Sequence, residues 1–140
     1  MIGIIDYGLG NVQALKNVFG RLSLAAIAAR NAMDLDGCTK LILPGVGAFD
    51  HAMSRFDASG LREPVEHLVR TQGIPVLGIC VGMQMLANSS EEGRRPGLGW
   101  IDGAVRKLQG AGLALPHMGW NDVKPGVTGA LFTGLERTAR

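Results

Sequence analysis

Gly78-Ile79-Cys80-Val81-Gly82-Met83-Gln84 is the stretch on which the fold turns. The apolar run before it, 75–79, reads as a buried parallel strand, and residues 82–88 after it read as a helix. Cys80 therefore stands where a strand turns sharply into a helix, with a glycine two positions to either side. This is the pattern of a nucleophile elbow with sulfur in place of a hydroxyl oxygen. The glycines remove side chains where strand and helix crowd together, and the turn lifts the sulfur above the sheet. The partial positive charge of the helix N-terminus favours the thiolate, which is the reactive form. The competing reading, a small buried apolar residue, leaves the paired glycines unexplained. It suits Cys38 better, in Asp36-Gly37-Cys38-Thr39 just ahead of a strand.

Residues 71–90 contain no charged residue and are about long enough to span a bilayer. Gln72, Pro75, Gln84, Asn88 and three glycines interrupt the run, so a strand followed by a helix accounts for it better.

Upstream, Ile2 to Ile5 is a short apolar run stopping at Asp6-Tyr7-Gly8, a first buried strand with no basic segment ahead of it as a signal peptide would need. Asn11 is a good N-cap for a helix carrying Val12, Leu15, Val18, Phe19 and Leu22 at helical spacing. Residues 24–29 form a candidate second strand, and 40–43 a third that ends at Pro44-Gly45-Val46-Gly47. Two amphipathic helices follow, over 48–57 and 61–72. This alternation predicts an α/β protein with an open, mostly parallel sheet and helices on both faces. Its site lies beyond the carboxyl ends of the strands, where Asp6, Pro44 and Cys80 converge. Beyond residue 93 the chain breaks into short Gly-punctuated segments, of which 104–108 reads as an antiparallel strand.

Composition agrees. The chain has 140 residues, 46% of them hydrophobic, 5% aromatic and 21 of them glycine, which suits one compact α/β domain with many tight turns. Fourteen Lys and Arg face 12 Asp and Glu with no stripe or tail of one sign, which argues against a nucleic-acid or membrane-surface partner. Two distant cysteines make neither a CxxC motif nor a disulfide framework, and a reducing cytosol fits them.

Thiolate attack on an amide carbon creates an oxyanion, which needs preorganised donors. The backbone amide of Val81 is one candidate; Val46 and Gly47, in a loop whose glycines permit close approach to a substrate, supply the other. Gly8-Leu9-Gly10 has Gln13 at the third glycine position of a dinucleotide fingerprint, and no acidic residue closes a clear second strand, so nucleotide binding is not expected there. A base is also needed. His51 and His67 fall on outer helices and read as solvated. His117, within Leu115-Pro116-His117-Met118-Gly119-Trp120-Asn121, follows a loop beside an aromatic and reads better as a contact residue.

The 78–84 segment resembles the nucleophile motif of the class I, or triad, glutamine amidotransferases, and Pro44-Gly45-Val46-Gly47-Ala48-Phe49 resembles their oxyanion strand. Asp6-Tyr7-Gly8-Leu9-Gly10-Asn11 and the 115–121 segment are similar to the glutaminase subunits of imidazole glycerol phosphate synthase. Val81 replaces a common leucine, which leaves the backbone amide in place. The resemblance implies a flavodoxin-like fold, Cys80 as nucleophile, and a site in which Gln84 and Gly47 help to hold glutamine. It implies ammonia delivery to a TIM-barrel cyclase met by Asn11, His117, Trp120 and Asn121, and no metal or organic cofactor. The family's catalytic histidine and glutamate lie in a further stretch near a His-x-Glu segment, so the expectation is a domain incomplete at its C-terminus whose residues 1–140 alone do not turn glutamine over. The alternatives are the glutaminase subunit of another class I amidotransferase, which the Pro-His-Met-Gly-Trp-Asn segment disfavours, and a catalytically silent, truncated scaffold.

Overall fold

The N-terminal apolar run forms β1 (Ile2–Ile5), with its last three residues buried. The computed structural model describes residues 1–110, 112, 115, 116 and 118–122. β1 pairs with β2 (Ala26–Ala29) on one side and β3 (Lys40–Gly45) on the other, and β3 carries β4 (Val76–Cys80). All pairings are parallel, in the order β2-β1-β3-β4. This matches the first four positions of the flavodoxin-like order, with the switch point between β1 and β3. α1 (Val12–Arg21) joins β1 to β2, while α2 (Phe49–Ala58) and α3 (Arg62–Glu66) join β3 to β4. The two crossovers run in opposite directions across the sheet, so right-handed connections put α1 on one face and α2 with α3 on the other.

Local chemistry explains most of the boundaries. The Asn11 side chain accepts from the Ala14 amide at 3.0 Å, satisfying one of the free donors at the start of α1. α2 buries Phe49, Ala52, Met53 and Phe56, the face its apolar spacing marks out. Together with Ile5, Tyr7, Leu43, Leu61, Val65 and Met85 they form the core above the sheet. A fully buried side chain of this size stabilises by about 1.5–3 kcal/mol. α3 ends at Glu66 and the chain goes on as a π-turn over His67–Thr71, with Leu68 and Val69 against the core edge.

Several expectations need correction. β3 runs two residues past Leu43, because Pro44 and Gly45 pair with Ile79 and Cys80. The helix after the elbow, α4 (Val81–Met85), is shorter than 82–88. The carbonyls of Met85, Leu86 and Ala87 turn outward to accept from Leu98, Gly99, Trp100 and Ile101 instead of continuing the helix. The expected antiparallel strand at 104–108 is the two-residue β6 (Ala104–Val105), and it runs parallel to β5 (Ser89–Ser90), because the 97–101 segment first crosses back over the end of α4. β4 is an edge strand of the described sheet, so Leu77 is 48% exposed and not buried as its apolar run suggests. α1 buries no residue completely, and its Val18 and the Leu22 that follows it are exposed.

Cys38 is buried, its thiol donating to the Asp34 carbonyl at 3.6 Å, as the structural reading of that residue expects. The chain divides into two compact units, Met1–Lys107 and Leu108–Arg140. In the second, Met118 and Trp120 are exposed. No described helix is long and apolar enough to cross a membrane.

Candidate active site

Cys80 closes β4 with φ 56° and ψ −121°, and α4 begins at the next residue. A positive φ is unusual for a residue with a Cβ and persists only where the surroundings impose it. Two backbone contacts impose it here. A Cβ on Gly78 would overlap the Cα of Met83, and one on Gly82 would overlap the carbonyl oxygen of Leu43. Strand and helix thus meet backbone to backbone on both sides of the cysteine, and no wider turn fits. Cys80 is exposed, whereas Cys38 is buried. Burial pushes the Cys38 thiol above its ordinary value.

Gly45 is the register partner of Cys80, and a Cβ on it would sit 2.5 Å from the Gly82 nitrogen. The strand next to Cys80 therefore ends beside it, and Val46 and Gly47 leave the sheet from there. Both are exposed, and Gly47 has φ 88°, which glycine adopts without strain. Val81 is buried as the first residue of α4. Of the residues expected to serve an oxyanion, Val81 follows Cys80 directly, and Val46 and Gly47 follow its register partner Gly45.

α2 starts directly after this loop, and its first turn is clamped. The Asp50 carboxylate accepts from the Arg94 amide at 2.9 and 3.0 Å and from the Arg95 amide at 3.0 Å. The Arg95 and Arg94 backbone donors hold its carboxyl below the usual range. Gln84 sits on α4, where its side-chain oxygen accepts from Ser90 Oγ at 3.3 Å. Ser90 is 5% exposed, and its hydroxyl also accepts from the Glu92 amide at 3.2 Å. Sequence reading does not find Ser90, because one of two adjacent serines in a short polar segment carries no signal of its partner.

Tyr7 is the other residue that the motifs leave without a role. It lies at the end of β1 with 3% exposure, and its hydroxyl donates to the Pro44 carbonyl at 2.7 Å. Its ring meets Phe56 edge-on, with centroids 5.5 Å apart. Burial pushes its pKa up to about 12. The one available signal was its being the single tyrosine of an aromatic-poor chain.

Asn11 lies at the exposed tip of the β1–α1 loop. Trp120, 89% exposed, and Asn121, also exposed, lie in the second unit, and His117 lies outside the described residues. His51 and His67 are exposed, as their helical positions suggest. Among the described residues the Cys80 sulfur has no hydrogen-bond partner, so neither histidine reaches it. A cleft of about 330 Å³ at the end of β1, whose lining includes Asp6, Tyr7, Gly8, Arg30, Arg55 and Ser59, with Arg30 paired to Asp6 at 2.9 Å, does not include the cysteine. No group of three or more His, Cys, Asp or Glu gathers to hold a metal among the described residues.

The family profile described as glutamine amidotransferase class-I matches residues 3–138. The imidazole glycerol phosphate synthase subunit HisH of Bdellovibrio bacteriovorus is 60% identical over 144 aligned residues, which cover all of this chain and 71% of that protein. The protein of the same name from Leptospira interrogans is 45% identical with the same coverage. A crystal structure of a glutamine amidotransferase superposes with a TM-score of 0.63 at 25% identity, over 75% of this chain and 55% of that one.

Proposed function

The chain belongs to the class-I glutamine amidotransferase family and is a glutaminase subunit of imidazole glycerol phosphate synthase, an enzyme of histidine biosynthesis, and from that premise we propose how its residues work. The Cys80 thiolate attacks the side-chain amide carbon of glutamine, and the C=O electron pair moves onto oxygen. Collapse of this tetrahedral adduct expels the nitrogen, which takes a proton and leaves as ammonia. Water then attacks the γ-glutamyl thioester, releasing glutamate and regenerating the thiolate. The amides of Val81 and of Val46 or Gly47 hold the oxyanion, while Gln84, steadied by Ser90, and the Gly47 loop hold the substrate. The histidine that the family carries downstream of these motifs serves as base and then as acid.

The observation that carries this reading is the conformation of Cys80: an exposed thiol on a strained turn, in register with the glycine from which the oxyanion loop departs. A structural cysteine has no need of that geometry. The direct test is Cys80→Ser in the full-length protein with its partner subunit. Glutamate release and glutamine-dependent synthesis should fall by at least about a thousandfold, while synthesis from added ammonium continues. Glutamine turnover that survives the substitution refutes the assignment.

The partner fits a TIM-barrel cyclase in a cytoplasmic heterodimer, met by Asn11, His117, Trp120 and Asn121. The support is the exposure of Trp120 and Asn11, since aromatic anchors dominate many interfaces. Trp120→Ala should weaken the complex by about 2 kcal/mol in a calorimetric titration. Unchanged affinity would remove Trp120 from the interface.

A further inference from the structure

Backbone groups along a parallel strand point alternately to its two neighbours, and in β3 the parity is fixed by the Leu41 amide, which donates to Pro75 on the β4 side. Leu43 and Gly45 share that side. Lys40, Ile42 and Pro44 therefore face β1. The β1–β3 ladder ends at the pair Ile4 and Ile42, and beyond it the Asp6 amide turns the other way, to the Ala29 carbonyl. Pro44 thus faces β1 just beyond the last pair of that ladder.

Proline has no amide hydrogen with which to extend the ladder, and its carbonyl, buried at the top of the sheet, still needs a donor. The Tyr7 hydroxyl fills the vacancy, donating to that oxygen at 2.7 Å from a side chain fixed by Phe56 and by a 3.6 Å contact to the Met85 sulfur. Gly10 closes the same corner, since a Cβ on it would come within 2.8 Å of the Pro44 ring. The peptide plane so fixed is Pro44–Gly45, immediately ahead of Val46 and Gly47.

We propose that Tyr7 is a positioning residue for glutamine hydrolysis: its hydroxyl sets the orientation of the Pro44–Gly45 peptide and so the aim of the oxyanion donors that follow. It touches neither substrate nor nucleophile. The inference rests on the reading of Val46 and Gly47 as the oxyanion loop. Without the hydroxyl, the buried carbonyl lacks a donor and the peptide rotates to find one, carrying the loop amides off the position where charge develops.

The test is Tyr7→Phe in the full-length protein with its partner, beside Tyr7→Leu. Tyr7→Phe deletes one oxygen and keeps the ring against Phe56. Its kcat for glutamate release should fall roughly tenfold to a hundredfold, with KM within about threefold, because a misaimed donor is felt in the transition state. Alkylation of Cys80 by iodoacetamide, which develops no oxyanion, should keep its rate within about twofold. Tyr7→Leu should lose kcat to a similar extent if the hydroxyl is what matters. Unchanged kcat in Tyr7→Phe overturns the proposal, as does a loss confined to Tyr7→Leu, which would assign the effect to ring packing. Parallel loss of kcat and alkylation also overturns it, since Tyr7 would then support the elbow as a whole. These outcomes are separable from failure of the functional reading, in which glutamine hydrolysis would survive Cys80→Ser.

Discussion

At the scale of single residues the two cysteines are opposites. Cys80 is open to solvent, while Cys38 is enclosed with its thiol pushed toward the neutral form by burial. Since alkylation needs both thiolate and access, iodoacetamide at neutral pH should label Cys80 at least about tenfold faster than Cys38. Peptide mass mapping after partial labelling reads the ratio, and preferential labelling of Cys38 would contradict the elbow. Tyr7 offers a second check, because it is the chain's single tyrosine and phenolate absorbance reports it alone. Its pKa is raised from 10.0 to about 12. Burial favours the neutral phenol in the fold, so this stabilisation is complete below pH 10 and is lost as pH rises through about 12. The folded protein should titrate near 12, and the denaturant-unfolded chain near 10. A folded midpoint at the unfolded value would mean that the hydroxyl is solvated.

Among the elements, the glycines separate into those that hold the fold open and those that merely occupy it. Gly82→Ala would drive a methyl into the Leu43 carbonyl, with backbone on both sides and nothing free to give. It should cost roughly 1–3 kcal/mol in urea unfolding and abolish glutamine hydrolysis. Gly20 lies within α1 with nothing within 4 Å of its would-be Cβ, so Gly20→Ala should stabilise by about 0.5–1 kcal/mol. Equal effects would mean that the elbow contact is slack. This contrast also marks what a sequence can disclose. The elbow was legible because its glycines, its strand and its helix are all local, and the parallel sheet with helices on both faces followed from the alternation of strands and helices. The extra length of β3 was not, because Pro44-Gly45 reads locally as a turn and becomes strand only through pairing with Ile79 and Cys80. The short α4 and the parallel β5–β6 pair escaped for the same reason: both depend on the 97–101 segment folding back over the helix end. Tyr7 and Pro44 are 37 positions apart, and neither residue type announces the other.

Across the whole molecule, the described sheet places its chemistry at one end. β1, β3 and β4 deliver Tyr7, the Val46–Gly47 loop and Cys80 to their carboxyl ends, while α2 and the 93–95 segment are tied together behind them through Asp50. The elbow itself has a global consequence. A non-glycine residue held at φ 56° costs on the order of 1–3 kcal/mol, and that cost is drawn from the stability of the entire unit Met1–Lys107. Cys80, the proposed nucleophile, is therefore a residue that the fold would be better off without. Cys80→Gly should relieve the strain, less about 0.5–1 kcal/mol for the added freedom of the unfolded chain, and so raise the melting temperature by a few degrees in a protein with no glutaminase activity. A lower melting temperature would show that the turn is unstrained. If stability does rise, the protein sits at a trade-off between durability and reactivity, and drift toward greater robustness at this position is opposed only by selection for turnover.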